Sequence, residues 1–274
     1  LAGRAFVYNL YPFSALEIGE DFDLETALRW GTLPGVIYKM HTEEDKTRFL
    51  QAYAQTYLKE EVWLEQLIRK VDPFRKFLEV AAQCNGQIIN AANIARDVGV
   101  DDKTIKQYFS ILEDTLMGFM LEPFHGSFRK RLHAKPKFYF FDRGVCGALS
   151  RMLTVSLKKS TAEYGQAFEH FIILECLKLA NYFYPEYRFS YLKTKDDVEV
   201  DLIVERPGKK TLFIEIKSSD SVGKHKLSAF MNLMKDIENS EAICISQEMR
   251  AKKIGGILVF PWRDALRQYF TKVV

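Results

Sequence analysis

The stretch Val198-Glu199-Val200-Asp201-Leu202-Ile203-Val204-Glu205, then Arg206-Pro207-Gly208-Lys209-Lys210, then Thr211-Leu212-Phe213-Ile214-Glu215-Ile216-Lys217-Ser218-Ser219 decides how this chain is read. Both halves are rich in β-branched and aliphatic residues, and a Pro-Gly turn separates them, so the pattern predicts two strands joined by a turn. Side chains alternate faces along a strand. Glu199, Asp201, Ile203 and Glu205 therefore share one face, as do Phe213, Glu215 and Lys217 on the second strand. If the charged faces coincide, Asp201, Glu215 and Lys217 converge. Two carboxylates and an amine at the edge of an apolar sheet suit a divalent metal and an activated water. The same alternation also fits a solvated hairpin face, so the flanks must decide.

The flanks extend the pattern. Glu163 to Tyr182 reads as a helix with Phe168, Phe171, Ile172, Cys176 and Leu179 on its apolar side. Glu169 lies on a stripe that otherwise looks buried, where a carboxylate needs a cation or a hydrogen bond. Glu175 is the weaker candidate, because it can pair with Lys178 at the surface. Phe189 to Thr194 reads as a strand, Ser221 to Glu238 as helical, and Ala242 to Ser246 and Ile257 to Phe260 as strands.

Upstream, Leu24 to Trp30 and Thr42 to Arg69 have helical patterns, and Ser14 and Thr42 stand where helix caps are expected. Asp72-Pro73 opens another helix. Ile94 to Ile105, with Gly99 at the turn, has the shape of a helix-turn-helix. The strands Met117 to Leu121 and Lys137 to Phe141 would form a wing, so residues 73 to 143 read as a winged helix. Lys103 and Lys106 on its second helix, with Arg129, Lys130, Arg131, His133, Lys135 and Lys137 on the wing, could neutralise phosphates. A winged helix that only contacts protein fits the same pattern.

Composition sets the outer bounds. At 274 residues and 47% hydrophobic, the chain can bury an ample core, and its length suits two or three domains. A formal charge of +3 leaves any basic surface local. The four cysteines have no metal spacing and sit among apolar neighbours, which suits reduced thiols and a cytoplasmic location. No apolar run approaches the roughly 18 residues of a membrane span. Leu1-Ala2-Gly3-Arg4-Ala5 lacks an initiator Met and starts in mid-pattern, as a fragment would.

Strand-turn-strand with Asp201, then Glu215-x-Lys217, resembles the core of the PD-(D/E)XK nuclease superfamily. More widely, the chain resembles the C-terminal half of a prokaryotic AAA-type ATPase family, in which the ATPase core precedes a domain of unknown function with a nuclease-like fold. That resemblance rests on Leu1-Ala2-Gly3-Arg4-Ala5, Leu10-Tyr11-Pro12-Phe13-Ser14 with Glu17, Gly31-Thr32-Leu33-Pro34, Tyr53 to Leu58, Lys135 to Gly144, Gly165 with Phe168-Glu169, Glu199-Val200-Asp201 and Glu215 to Ser219. It implies an α/β, multi-domain α+β chain: the end of an ATPase core and a helical lid over 1–72, a winged helix over 73–150, and a restriction-endonuclease-like αβββαβ domain over 151–274. It also implies phosphodiester hydrolysis with Mg²⁺ or Mn²⁺ held by Asp201, Glu215 and the Ile216 carbonyl. Glu169 would contribute directly or through water, and Lys217 would orient the attacking water. No phosphate-binding loop is present, so ATP would act only through an upstream core. The partners expected are nucleic acid, DNA first, an ATPase core or an oligomer, and no membrane. An inactive nuclease-like domain that binds protein or DNA remains the alternative.

Overall fold

The computed structural model describes residues 9–56, 71–124 and 135–272. At its centre is an eight-stranded mixed sheet in the order β2-β1-β3-β4-β5-β6-β8-β7. The strands are β1 (Gly118–Pro123), β2 (Lys137–Phe140), β3 (Arg188–Lys193), β4 (Glu199–Glu205), β5 (Thr211–Lys217), β6 (Ser240–Ser246), β7 (Lys252–Ile254) and β8 (Ile257–Pro261). β3, β4 and β5 pair antiparallel, whereas β5, β6 and β8 run parallel. The helix α10 (Lys224–Met234) makes the crossover from β5 to β6. Both faces of the central strands are covered, so β5 reads as an almost unbroken apolar run interrupted by Glu215.

Ahead of β3 comes α9 (Ala162–Phe183), capped by Thr161, whose hydroxyl accepts the Tyr164 amide. The segment therefore follows the helix, three strands, helix, strand order expected from sequence. Two elements beyond that order had no reading, the edge strand β7 and the terminal helix α11 (Trp262–Phe270).

On one face of the sheet, Leu202, Val204, Leu212, Ile214, Ile243 and Ile245 pack with Phe168, Phe171 and Ile172 of α9 and Leu266 and Phe270 of α11. On the other face, Val200, Ile203, Phe213 and Val259 pack with Leu227 and Phe230 of α10. A third cluster joins α5 (Val71–Gln83), α6 (Ala91–Val98) and α7 (Asp102–Asp114) to Phe138 and Phe140 of β2. Between α6 and α7, Gly99 takes a left-handed φ of 84° and donates its amide to Ala95. Asp101 then caps α7 by accepting the Thr104 amide at 2.7 Å.

Packing crosses the boundaries read near residues 72 and 150. β1 and β2, expected as a free wing, lie at the end of the main sheet: Glu122 and Pro123 of β1 pair in parallel with Ser190 and Tyr191 of β3. The first helices, α1 (Ala15–Ile18) and α2 (Leu24–Trp30), join the α9 face, where Ala15, Phe22 and Leu28 are buried. Ser14 caps α1 in a reciprocal capping box with Glu17. Buried polar contacts fasten this segment. The Asp142 carboxylate accepts the Thr32 amide at 2.8 Å and the Val145 amide at 3.0 Å, which caps α8 (Arg143–Leu149) inside the stretch read as a connector. Gly31 has φ 73°, and a Cβ there would overlap that carboxylate. Among the described residues, no helix is long and apolar enough to cross a membrane.

Candidate functional site

The geometry begins with an irregularity in β4. Opposite β3, Ser190 pairs with Ile203 and Leu192 with Val200, so two steps on β3 match three on β4. β4 thus carries one extra residue around Asp201, a β-bulge that re-aims side chains. Val200 and Ile203 consequently face the α10 side together, while Leu202 and Val204 face α9. The strict alternation expected for β4 does not hold there. On the β5 side the ladder runs from Val204–Leu212 to Leu202–Ile214 and stops. The Asp201 side chain takes over from it, and its Oδ2 accepts the Ile216 amide at 2.6 Å.

Next to Asp201, Glu215 forms an ion pair with Lys217 at 2.5 Å through Oε1. Its other oxygen, Oε2, is buried and has no hydrogen-bond partner among the described residues. Burial pushes the Asp201 carboxyl well above its ordinary range, and the charges of Glu215 and Glu169 push it further. Lys217 and the Ile216 amide pull the other way. Burial also raises Glu215, against the pull of Lys217 and with help from Glu169 and Glu199. Burial alone would lower Lys217, but Glu215 and Asp201 keep its proton on more firmly than usual. Two desolvated carboxylates in repulsion, one with an open acceptor, form a site short of positive charge.

Glu169 reaches the same cluster from α9. Its Oε1 accepts the Tyr139 hydroxyl at 2.8 Å and lies 3.6 Å from Lys137 Nζ. Lys137 is also ion-paired with Glu199, and its ammonium stands 5.2 Å from the Tyr191 ring centre. Lys193 approaches Glu199 at 3.9 Å. The charges of Glu169 and Lys217 therefore both act on Asp201 and on Glu215.

Other expectations fare differently. Glu175 does pair with Lys178, at 3.2 Å, but not at the surface. Their side chains are 0% and 3% exposed, because Glu175 also accepts the Ala15 amide and Lys178 donates to the Phe13 carbonyl and the Thr32 hydroxyl. Lys137, read as a wing residue facing phosphates, is buried instead at 3% exposure. Lys103 and Lys106 are exposed on α7. Arg129, Lys130, Arg131 and His133 lie outside the described residues.

Sequence reasoning missed the roles of Lys137, Tyr139 and Glu199. The signal was available: period-two alternation in Lys137-Phe138-Tyr139-Phe140 sets Lys137 and Tyr139 on one face, opposite the two phenylalanines that enter the helical core.

Among the described residues, no group of three or more His, Cys, Asp or Glu side chains is placed to hold one metal ion. A cation here would rest on Asp201 and Glu215, with water or phosphate oxygens completing its shell, which is the habit of Mg²⁺. The open Glu215 Oε2 and the repulsion that Lys217 only partly offsets fit such an ion.

Two mycobacterial proteins resemble the chain. Uncharacterized protein Rv2008c of Mycobacterium tuberculosis and uncharacterized protein Mb2031c of Mycobacterium bovis are each 28% identical to it over 242 residues, 85% of this chain and 52% of theirs. The chain thus spans about half the length of the curated relatives it matches. No solved structure matches it. Residues 21–156, which include Lys137 and Tyr139, match the model of a domain of unknown function, DUF8612, and residues 164–265, which include Glu169, Asp201, Glu215 and Lys217, match that of another, DUF4143.

Proposed function

We propose that the chain is a nucleic-acid-associated segment of an AAA-type ATPase, and that residues 151–274 form a PD-(D/E)XK-like domain hydrolysing phosphodiesters with Mg²⁺ or Mn²⁺. One observation carries the reading: a β-bulge aims Asp201 at the strand bearing Glu215 and Lys217, where a buried carboxylate oxygen has no hydrogen-bond partner among the described residues. The succession α9, β3, β4, β5, α10, β6 supports the same fold family. Asp201 and Glu215 would hold the ion, which would polarise the phosphodiester and lower the pKa of a water. Lys217, kept protonated beside Glu215, is positioned to orient that water or to offset charge developing on the phosphate. The three helices α5–α7 with β1 and β2 support a winged helix, whose exposed Lys103 and Lys106 would contact nucleic-acid phosphates.

The test is Mn²⁺ titration read by thermal shift and by cleavage of branched and linear DNA. Wild type is expected to be stabilised and to cleave. Asp201→Asn should lose both effects, and Lys217→Ala should lose cleavage while keeping metal-induced stabilisation. A wild-type protein showing neither response refutes the reading.

A second reading has its own support. Lys217 already neutralises Glu215, and Lys137 stands on Glu169 and Glu199. Such a network suits a nuclease-like domain that has become a protein- or DNA-binding module. It predicts DNA binding that is indifferent to Mn²⁺.

A further inference from the structure

The acidic cluster contains a cation that the proposed chemistry does not use. Lys137 comes from β2, far from the hairpin in sequence, and its side chain is 4% exposed. A buried ammonium needs compensating charge, and Lys137 has it from two elements: Glu169 on α9 and Glu199 at the start of β4. Tyr139, two residues along the same strand, donates its hydroxyl to the Glu169 oxygen that Lys137 also faces. β2 thus holds Glu169 with a charge and a hydrogen bond side by side.

We propose that Lys137 is a tethered counter-ion built into the site, a positioning residue that fixes Glu169 and Glu199 and fills the cation position on their side, so that a divalent ion is bound only by the Asp201–Glu215 side. This deepens the phosphodiesterase reading and rests on it for the divalent ion, though not for the lysine contacts. The consequence is specific. Glu169 is held by protein rather than ligating metal, the site takes one divalent ion, and β2 of the DUF8612-matching part completes a site whose other residues lie in the DUF4143-matching part. Burial works against the Lys137 charge, but Glu169, Glu199 and Asp201 together keep it protonated.

The experiment counts MnCl₂ binding by calorimetry on the 274-residue chain in wild type, Glu169→Gln and Lys137→Met. One ion per chain is expected in wild type, and Glu169→Gln should weaken its binding by less than about tenfold, because it removes a nearby charge but no ligand. Lys137→Met should bind a second ion, or bind the first about tenfold tighter, since two carboxylates have lost their cation. A loss of about tenfold or more in Glu169→Gln makes Glu169 a ligand and overturns the proposal, as does Lys137→Met binding Mn²⁺ no better than wild type.

If Lys137→Met does not fold, Glu199→Gln replaces it: Lys137 then remains on Glu169 and Mn²⁺ affinity stays near wild type, whereas a tenfold loss overturns the proposal. If wild type binds no Mn²⁺ at all, the phosphodiesterase reading fails by itself. The counter-ion is then judged in metal-free protein, from the melting temperatures of Lys137→Gln, Glu199→Gln and the double variant. Non-additive shifts support it, and additive shifts overturn it.

Discussion

Asp201→Asn should make the metal-free protein more stable, although it alters a residue at the centre of the candidate site. The substitution keeps the acceptor that binds the Ile216 amide at 2.6 Å. It removes a charge that burial, Glu215 and Glu169 all disfavour. Glu215 is the largest of the charges that act on it. Charged side chains on neighbouring strands stand on the order of 5 Å apart. At an effective dielectric near 20, two like charges at that distance repel by about 3 kcal/mol. The attraction to Lys217 cancels part of this, and the partial exposure of Asp201 screens more, so the net gain is about 1–2 kcal/mol. For a chain of this size that raises Tm by roughly 2–8 °C.

The pH dependence carries a definite sign. Asp201 titrates well above its ordinary 3.8 in the folded state, so the native protein holds the proton longer than the unfolded chain. Stability therefore falls as pH rises from about 4 through the folded pKa. Asp201→Asn should flatten that decline, leaving the part due to Glu215. Differential scanning calorimetry in EDTA from pH 4 to 8 measures both effects. A variant that melts below wild type at pH 7.5, or that keeps the full decline, refutes the argument that these carboxylates are in net repulsion.

Other expectations are independent of the metal. Lys178→Met leaves Glu175 buried without its cation and should cost about 3–5 kcal/mol, seen as a large fall in the urea midpoint with an unchanged m-value. Burial and the Arg143 guanidinium hold His170 well below its ordinary 6.5, so it folds neutral. The stability this contributes is lost as pH falls below about 6.5, and His170→Gln should remove that slope from the acid-unfolding curve. Charge neutralisation at Lys103 and Lys106 should weaken DNA binding across sequences and reduce the slope of log affinity against log salt by about one to two, measured by fluorescence anisotropy; an unchanged slope points to protein contacts. The chain by itself should not bind ATP in calorimetry, because it carries no phosphate-binding loop.

Much of the fold was legible because it rests on local signals. The cap at Ser14, the turn at Gly99 and the apolar runs of β5 and β6 are short-range features, and the elements appear where they predict. Long-range placement was less accessible. Nothing local in Gly118–Pro123 reveals that β1 pairs in parallel with β3, roughly seventy residues later in sequence, so a wing was the natural reading. Lys178 likewise looked like a surface partner of Glu175, because its partners Phe13 and Thr32 come from a segment 146 or more residues away.

The hairpin reading brought Asp201, Glu215 and Lys217 together on an incomplete premise. Alternation brings Glu215 and Lys217 to one side of β5, but Asp201 joins them through a bulge that alternation does not contain. The bulge ends the β4–β5 ladder early, and the carboxylate replaces the missing backbone acceptor for Ile216. One irregularity thus satisfies a backbone amide and crowds a second carboxylate against Glu215. The crowding is tolerable because cations are near: Lys217 from β5, and Lys137 beside Glu169 and Glu199. Only the first of these could be seen from the hairpin itself. The second depends on β2 reaching the site across the sheet, and for that reason the electrostatics of this site are a property of the whole sheet rather than of the hairpin that first draws the eye.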